Sequence, residues 1–117
     1  MFSFSGIEIK VPDLSNLPEN VEMHSLFDGC SGLTGDMPDL SVLKQTDLRY
    51  LFRDCSGITG EIKALPENLE NAWGMFENCY GLTGDAPKKP ETLIEYYNRM
   101  FGGTKITPTE DWPDDAF

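Results

Sequence analysis

The chain has 117 residues, with 9 Lys and Arg against 20 Asp and Glu, a formal net charge of −11, and 39% of its residues are hydrophobic. That length and apolar content suit one domain with its own core and exclude two separate globular domains. The carboxylate excess repels phosphate backbones and anionic lipid, which argues against direct nucleic-acid contact, and no run approaches the roughly 18 apolar residues needed for membrane insertion.

The elements recur along the chain. Phe2, Phe27, Phe52, Phe76 and Phe101 head related stretches and are separated by 25, 25, 24 and 25 residues. The first copy, Met1-Phe-Ser-Phe-Ser-Gly-Ile-Glu-Ile, is degenerate, and it lacks the basic and apolar regions of a signal peptide. Next comes Leu17-Pro-Glu-Asn, which reads as the start of a helix, as does Leu65-Pro-Glu-Asn two units later. The helix is expected to lead into each Leu/Met-Phe pair, because apolar residues stand one and four places before the Phe: Leu26 with Met23, Leu51 with Leu48, Met75 with Ala72, Met100 with Tyr97. Gly32, Gly57 and Gly81 end these segments. Leu33-Thr-Gly-Asp-Met, Ile58-Thr-Gly-Glu-Ile and Leu82-Thr-Gly-Asp-Ala then alternate apolar and polar residues, as short strands do. The tail, Glu110-Asp-Trp-Pro-Asp-Asp-Ala-Phe117, reads as the opening of a further, incomplete copy.

A period of 24 or 25 residues lies in the range of leucine-rich repeats. The expected fold is therefore a single right-handed α/β solenoid of about four and a half units, with Leu33, Ile58, Leu82 and Ile106 stacked as a core ladder. Short parallel strands would form the concave face and short helices the convex face. Helices need roughly 8 to 10 Å where strands need about 4.8 Å, so the helical side would fan out and the stack would curve. The pattern Met/Leu-Phe, x-x-Cys, x-Gly-Leu-Thr resembles the BspA-type leucine-rich repeats, including their Met-Phe-x-x-Cys variant found in bacterial surface and phage-associated proteins. The resemblance spans essentially the whole chain, with Cys replaced by Ser5 and Thr104 in the outer units. It implies a non-enzymatic binding scaffold with no catalytic residues to carry over.

Cys30, Cys55 and Cys79 each follow the repeat Phe by three residues and would stack as one column. They could be read as a thiolate metal site, but a structural ladder of buried, reduced thiols without metal or cofactor is the expectation. An odd number of cysteines also excludes complete internal pairing. On the sheet, Thr34, Thr59, Thr83 and Thr107 form an outward threonine column beside an acidic one of Asp36, Glu61 and Asp85. Carboxylates stacked at strand spacing repel one another unless a basic partner or cation offsets them, which makes this face the candidate binding surface. A merely solvated face is the plainer alternative. His24 has no counterpart in the other units and reads as surface decoration. Trp73 and Tyr97 are expected to pack on the helical side and Trp112 to close the stack, with interface anchoring the competing role for these aromatic residues.

Two functions follow as expectations. One is a recognition module for a protein or glycan ligand. The other is a small acidic inhibitor that covers a basic surface of a partner protein. The first implies the cell surface if the chain is a segment of an exported protein, the second the cytoplasm if 117 residues is the whole gene product. Phe2, Phe4, Ile7 and Ile9 in the opening unit have no preceding coil to cover them, so a homodimer through this N-terminal coil is also expected.

Overall fold

The computed structural model describes residues 9 to 11, 14 and 21 to 117, with Ile9 described by its backbone alone. Phe2, Phe4, Ile7, the side chain of Ile9 and the Leu17-Pro-Glu-Asn segment lie outside the described residues. Four parallel strands form one sheet in chain order: β1 (Ile9–Lys10), β2 (Leu33–Asp36), β3 (Ile58–Glu61) and β4 (Leu82–Thr83). Lys105 and Thr107 extend the sheet past β4 by donating to the carbonyls of Leu82 and Gly84, at 3.1 and 2.8 Å.

The convex helices are not formed. Among the described residues the only helical elements are two three-residue 3₁₀ turns, Leu40–Val42 and Asp114–Ala116. The α/β solenoid expected from the repeat period is corrected accordingly: the side opposite the sheet is built of consecutive tight turns. Leu65-Pro-Glu-Asn, which reads as a helix start, closes a single turn in which the Leu69 amide donates to Pro66 O.

The hydrogen bonds around each Phe explain why. In the second unit the amides of Leu26, Asp28 and Cys30 donate back within the unit, to the carbonyls of Met23, Ser25 and Phe27. The alternate amides of Ser25, Phe27 and Gly29 donate across, to Arg49, Leu51 and Arg53 of the next unit. The same alternation recurs from Tyr50 to Cys55 and from Gly74 to Cys79. An α-helix uses every amide internally. Here half of them join one coil to the next, as strand amides do, and every amide of the segment finds a partner.

Such an alternation requires a backbone that reverses hand twice per unit. Residues two before and two after each Phe have positive φ: Ser25 and Gly29, Tyr50 and Asp54, Gly74 and Asn78, Arg99 and Gly103, with values between 55° and 79°. The four residues after Phe are Gly, Asp, Asn and Gly, the types that enter the left-handed region most readily. A helix cannot pass through such positions.

The core follows from this frame. Phe27, Phe52, Phe76 and Phe101 are buried and stack nearly parallel, with successive centroids 5.6, 6.1 and 5.9 Å apart. This spacing is far below the roughly 8 to 10 Å between packed helices and little above the strand spacing of about 4.8 Å. The helix-driven fanning expected from the sequence therefore loses its basis. Leu33, Ile58, Leu82 and Ile106 are buried on the sheet side of the same core. At the far end Trp112 meets Phe101 edge to face at 4.9 Å, and its indole N–H donates to Pro87 O at 2.7 Å. Asp115 and Ala116 accept from the amides of Arg99 and Phe101, as the carbonyls of the following coil do for Gly74 and Phe76.

Tight apposition sets one further requirement. A Cβ on Gly81 would stand 2.3 Å from Ile58 O, and one on Gly57 2.6 Å from Leu33 O, so the residues entering β3 and β4 have no room for a side chain. Gly81→Ala is expected to destabilise the protein by about 1 to 3 kcal/mol through overpacking. Gly29→Asn, at a left-handed position with nothing within 4 Å of the added Cβ, should stay within about 0.5 kcal/mol of the parent. Chemical denaturation of both variants checks the pair, and equal losses would contradict this account of the stacking.

Candidate functional site

The sheet register differs from a simple alignment of the repeats. Gly35 pairs with Ile58 and Asp36 with Thr59; Gly60 pairs with Leu82 and Glu61 with Thr83; Asp85 bridges to Thr107. Each strand is thus shifted by two residues relative to the next. Asp36 therefore sits beside Thr59, with Glu61 displaced diagonally, and Glu61 sits beside Thr83. The expectation of carboxylates stacked directly on one another is corrected by this shift.

The shift gives the Thr-Gly-Asp/Glu motif a packing role. Thr59 Oγ1 donates to Asp36 Oδ1 at 2.8 Å across the coils. A Cβ on Gly60 would lie 3.4 Å from Asp36 Oδ1, and one on Gly84 would run into the Glu61 side chain at 2.6 Å. Each acidic side chain thus lies over the glycine of the following coil, and the neighbouring threonine can donate to it. Asp85 ends the series: the following unit has Pro108 in place of that glycine, and its carboxylate has no hydrogen-bond partner among the described residues. Asp36, Thr59, Glu61, Thr83, Asp85 and Thr107 are exposed and Thr34 is half-buried. The structure thus presents these residues together on one face, with Lys10 beside Thr34 at its first edge.

The cysteines lie behind the turns, not on this face. All three are fully buried and none forms a disulfide. Cys55 Sγ donates to Phe27 O at 3.0 Å and Cys79 Sγ to Phe52 O at 2.9 Å, so each thiol ties its unit to the Phe of the one before. Burial pushes the Cys55 thiol up from 9.0 to about 12 and the Cys79 thiol up as well. A thiolate is the form that binds metal, and burial works against it here. Among the described residues no group of three or more His, Cys, Asp or Glu side chains is placed to hold a metal ion.

Two concavities lie off the sheet. One, of about 450 Å³, is lined by Lys63, Leu65, Glu67, Lys88, Pro90 and Thr92 among others. The other, of about 500 Å³, runs between Glu22, His24, Lys44, Gln45, Asp47 and Arg49. Sequence reasoning missed both, because their residues are separated by a full repeat and become neighbours only through the stacking. The column three residues before each Phe was nevertheless readable: it holds His24, Arg49 and Trp73. Trp73, expected to pack on the helical side, is 40% exposed, whereas Tyr97 is half-buried and meets Trp112 edge to face.

The basic side chains on the turn face are held internally. Arg53 makes a two-pronged pair with Asp28, at 3.0 and 2.6 Å, and lies over the Tyr50 ring at 4.1 Å. That carboxylate keeps the guanidinium charged above its usual range. Arg99 pairs with Glu77 through its Nε alone, two coils further on.

Comparison with protein-family models, with curated proteins and with solved structures found no match to this chain.

The thiol column yields two expectations. Cys55→Ala should cost about 1 to 2 kcal/mol by lost packing, and native thiols should label slowly until the protein unfolds. Because the folded pKa of Cys55 lies above the unfolded one, its contribution is intact below about pH 8.5 and is lost as pH rises toward 12. Denaturation midpoints should fall over that interval more in the parent than in Cys55→Ala. Rapid labelling of all three native thiols, or stoichiometric zinc uptake, would contradict the assignment.

Proposed function

We propose that the chain is a non-enzymatic recognition module that engages a protein or glycan partner with its sheet face. The observation that carries this reading is the fixed array of exposed hydroxyls and carboxylates from Thr34 to Thr107, repeated from coil to coil on a backbone held from both sides. Binding groups held by such a frame lose little entropy on association. Asp85 is the most available member, since no described residue donates to it. The resemblance of the Phe-x-x-Cys and Gly-Leu-Thr-Gly motifs to BspA-type repeats supports the same reading.

A second reading, an acidic inhibitor of a basic protein surface, is favoured by the net charge of −11. The pairing of Arg49, Arg53 and Arg99 with carboxylates of this chain leaves the acidic surplus to an outside partner. A protein that contacts DNA or RNA is the natural owner of such a basic surface.

Both readings are tested on one variant. Neutralising Asp36, Glu61 and Asp85 together, to Asn, Gln and Asn, keeps an oxygen acceptor at each position and should leave the unfolding midpoint nearly unchanged. Binding to a captured partner should weaken at least tenfold in the parent as ionic strength rises from about 0.01 to 0.15 M, where the screening length contracts from roughly 30 to 8 Å. The triple variant should bind weakly at both. Unchanged binding by the triple variant would place the partner off the sheet face.

A further inference from the structure

The two tryptophans have opposite circumstances. Trp112 is buried, with its indole N–H on Pro87 O. Trp73 is 40% exposed, and its indole N–H has no partner among the described residues. Its backbone, by contrast, is pinned: the amide donates to Asn71 Oδ1 at 3.2 Å and the carbonyl accepts from Tyr50 at 2.9 Å. One coil further on, Tyr96 is 51% exposed. It is tied to the Trp73 segment by the bond from the Ala72 amide to Tyr96 O at 2.8 Å. Tyr96 also has φ of 54°, outside the pair of left-handed positions that every unit needs for its turns. A bulky residue held in that region without need from the ladder marks a place where local strain is retained.

Polar groups continue this band along the stack. Asp47 and Asn71 are bridge partners, and each accepts from the amide two residues on, Arg49 and Trp73, in the same Asx turn. In both the second side-chain atom is left outside that turn: Asp47 Oδ2 faces Arg49 at 3.6 Å, and Asn71 Nδ2 has no partner among the described residues. The band then enters the groove of about 500 Å³ between His24, Gln45, Asp47 and Arg49. Its charges balance within it: Lys44 and Arg49 oppose Glu22 and Asp47, and Glu22 lies 3.7 Å from His24.

We propose that this band is a binding site for a neutral, linear oligosaccharide lying along the stack. Exposed flat aromatic rings stack on the C–H faces of pyranoses. Amide, carboxylate and guanidinium groups are the partners of sugar hydroxyls, and a balanced set of charges neither attracts nor repels an uncharged ligand. Trp73 and Tyr96 form the stacking platform, Asn71, Asp47 and Arg49 meet the hydroxyls, and the groove receives the end of the chain. Successive coils stand 5.6 to 6.1 Å apart at their stacked Phe rings, close to the length of one pyranose, so consecutive sugar rings meet successive coils, with Arg49 and Trp73 at one repeat position and Asp47, Asn71 and Tyr96 at the neighbouring one. The inference rests on the reading of the chain as a recognition module, but it uses a different face from the carboxylates of the sheet.

The test titrates the full chain with neutral hexasaccharides of glucose, mannose, galactose and N-acetylglucosamine, read by tryptophan fluorescence and calorimetry. At least one is expected to bind, to perturb Trp73 emission and to keep its affinity between low and high salt. Trp73→Ala should weaken that binding at least about tenfold and Tyr96→Ala should weaken it as well, both with the parent unfolding midpoint and with Trp112 still emitting as a buried indole. The sheet triple variant should bind the sugar as the parent does. Failure of all four sugars, or parental binding by Trp73→Ala, overturns the site. If the sugars fail while a partner is still held through Asp36, Glu61 and Asp85, the recognition reading survives alone; if no sugar and no partner binds, both fall.

Discussion

The structure depends on a division of labour among backbone amides. Around each repeat phenylalanine, one amide closes a turn and the next reaches the following coil. This makes the turn side a hydrogen-bonded ladder like the sheet side, so both rise by similar steps and Phe27, Phe52, Phe76 and Phe101 can stack ring on ring. Removing the ladder would free the coils to separate and would expose half the amides of each turn segment. The apolar core adds cohesion, each fully buried Phe contributing roughly 1.5 to 3 kcal/mol, but the ladder decides where the rings stand.

The period, the columns and the strand positions were legible in the sequence. β2, β3 and β4 begin at Leu33, Ile58 and Leu82, where the alternating pattern places them. The helices were misread for a definable reason. Apolar residues at Met23, Leu26 and Phe27 fit one helical face, yet a chain of tight turns also buries Met23, Phe27 and Cys30 on one side, and hydrophobic spacing over so few residues does not separate the two. The residue types at Gly29, Asp54, Asn78 and Gly103 do separate them, since all four favour the left-handed backbone. The two-residue strand shift was not legible, because register depends on how neighbouring coils tilt. Within one unit nothing tells that Asp36 will lie over Gly60 of the next.

That shift changes the meaning of the acidic residues on the sheet. Asp36 and Glu61 help to key one coil onto the next, and Asp36 receives a hydroxyl in doing so. A side chain with such a role still shows one edge to solvent, which is how a surface can be rigid and still available. The unpartnered positions stand out against it: Asp85 at the end of the acidic series and Trp73 on the neighbouring edge. Rigidity and vacancy are distributed differently over the two faces, and each face accordingly suits a different class of ligand.

The packing of residues 112 to 117 on the Phe101 coil has a consequence for how such a chain can change its length. Trp112 and Phe117 rest on the ring of Phe101, and the carbonyls of Asp115 and Ala116 receive amides that occur at equivalent places in every coil. The tail therefore recognises the form of a coil, largely without regard to how many precede it. Excising one whole coil, from Phe52 through Met75, would bring Leu51 directly before Phe76 and restore the motif at the junction. A chain of this form can gain or lose whole coils by in-frame recombination between its own repeats, lengthening or shortening both surfaces while Trp112 to Phe117 keep the same contacts with the coil before them.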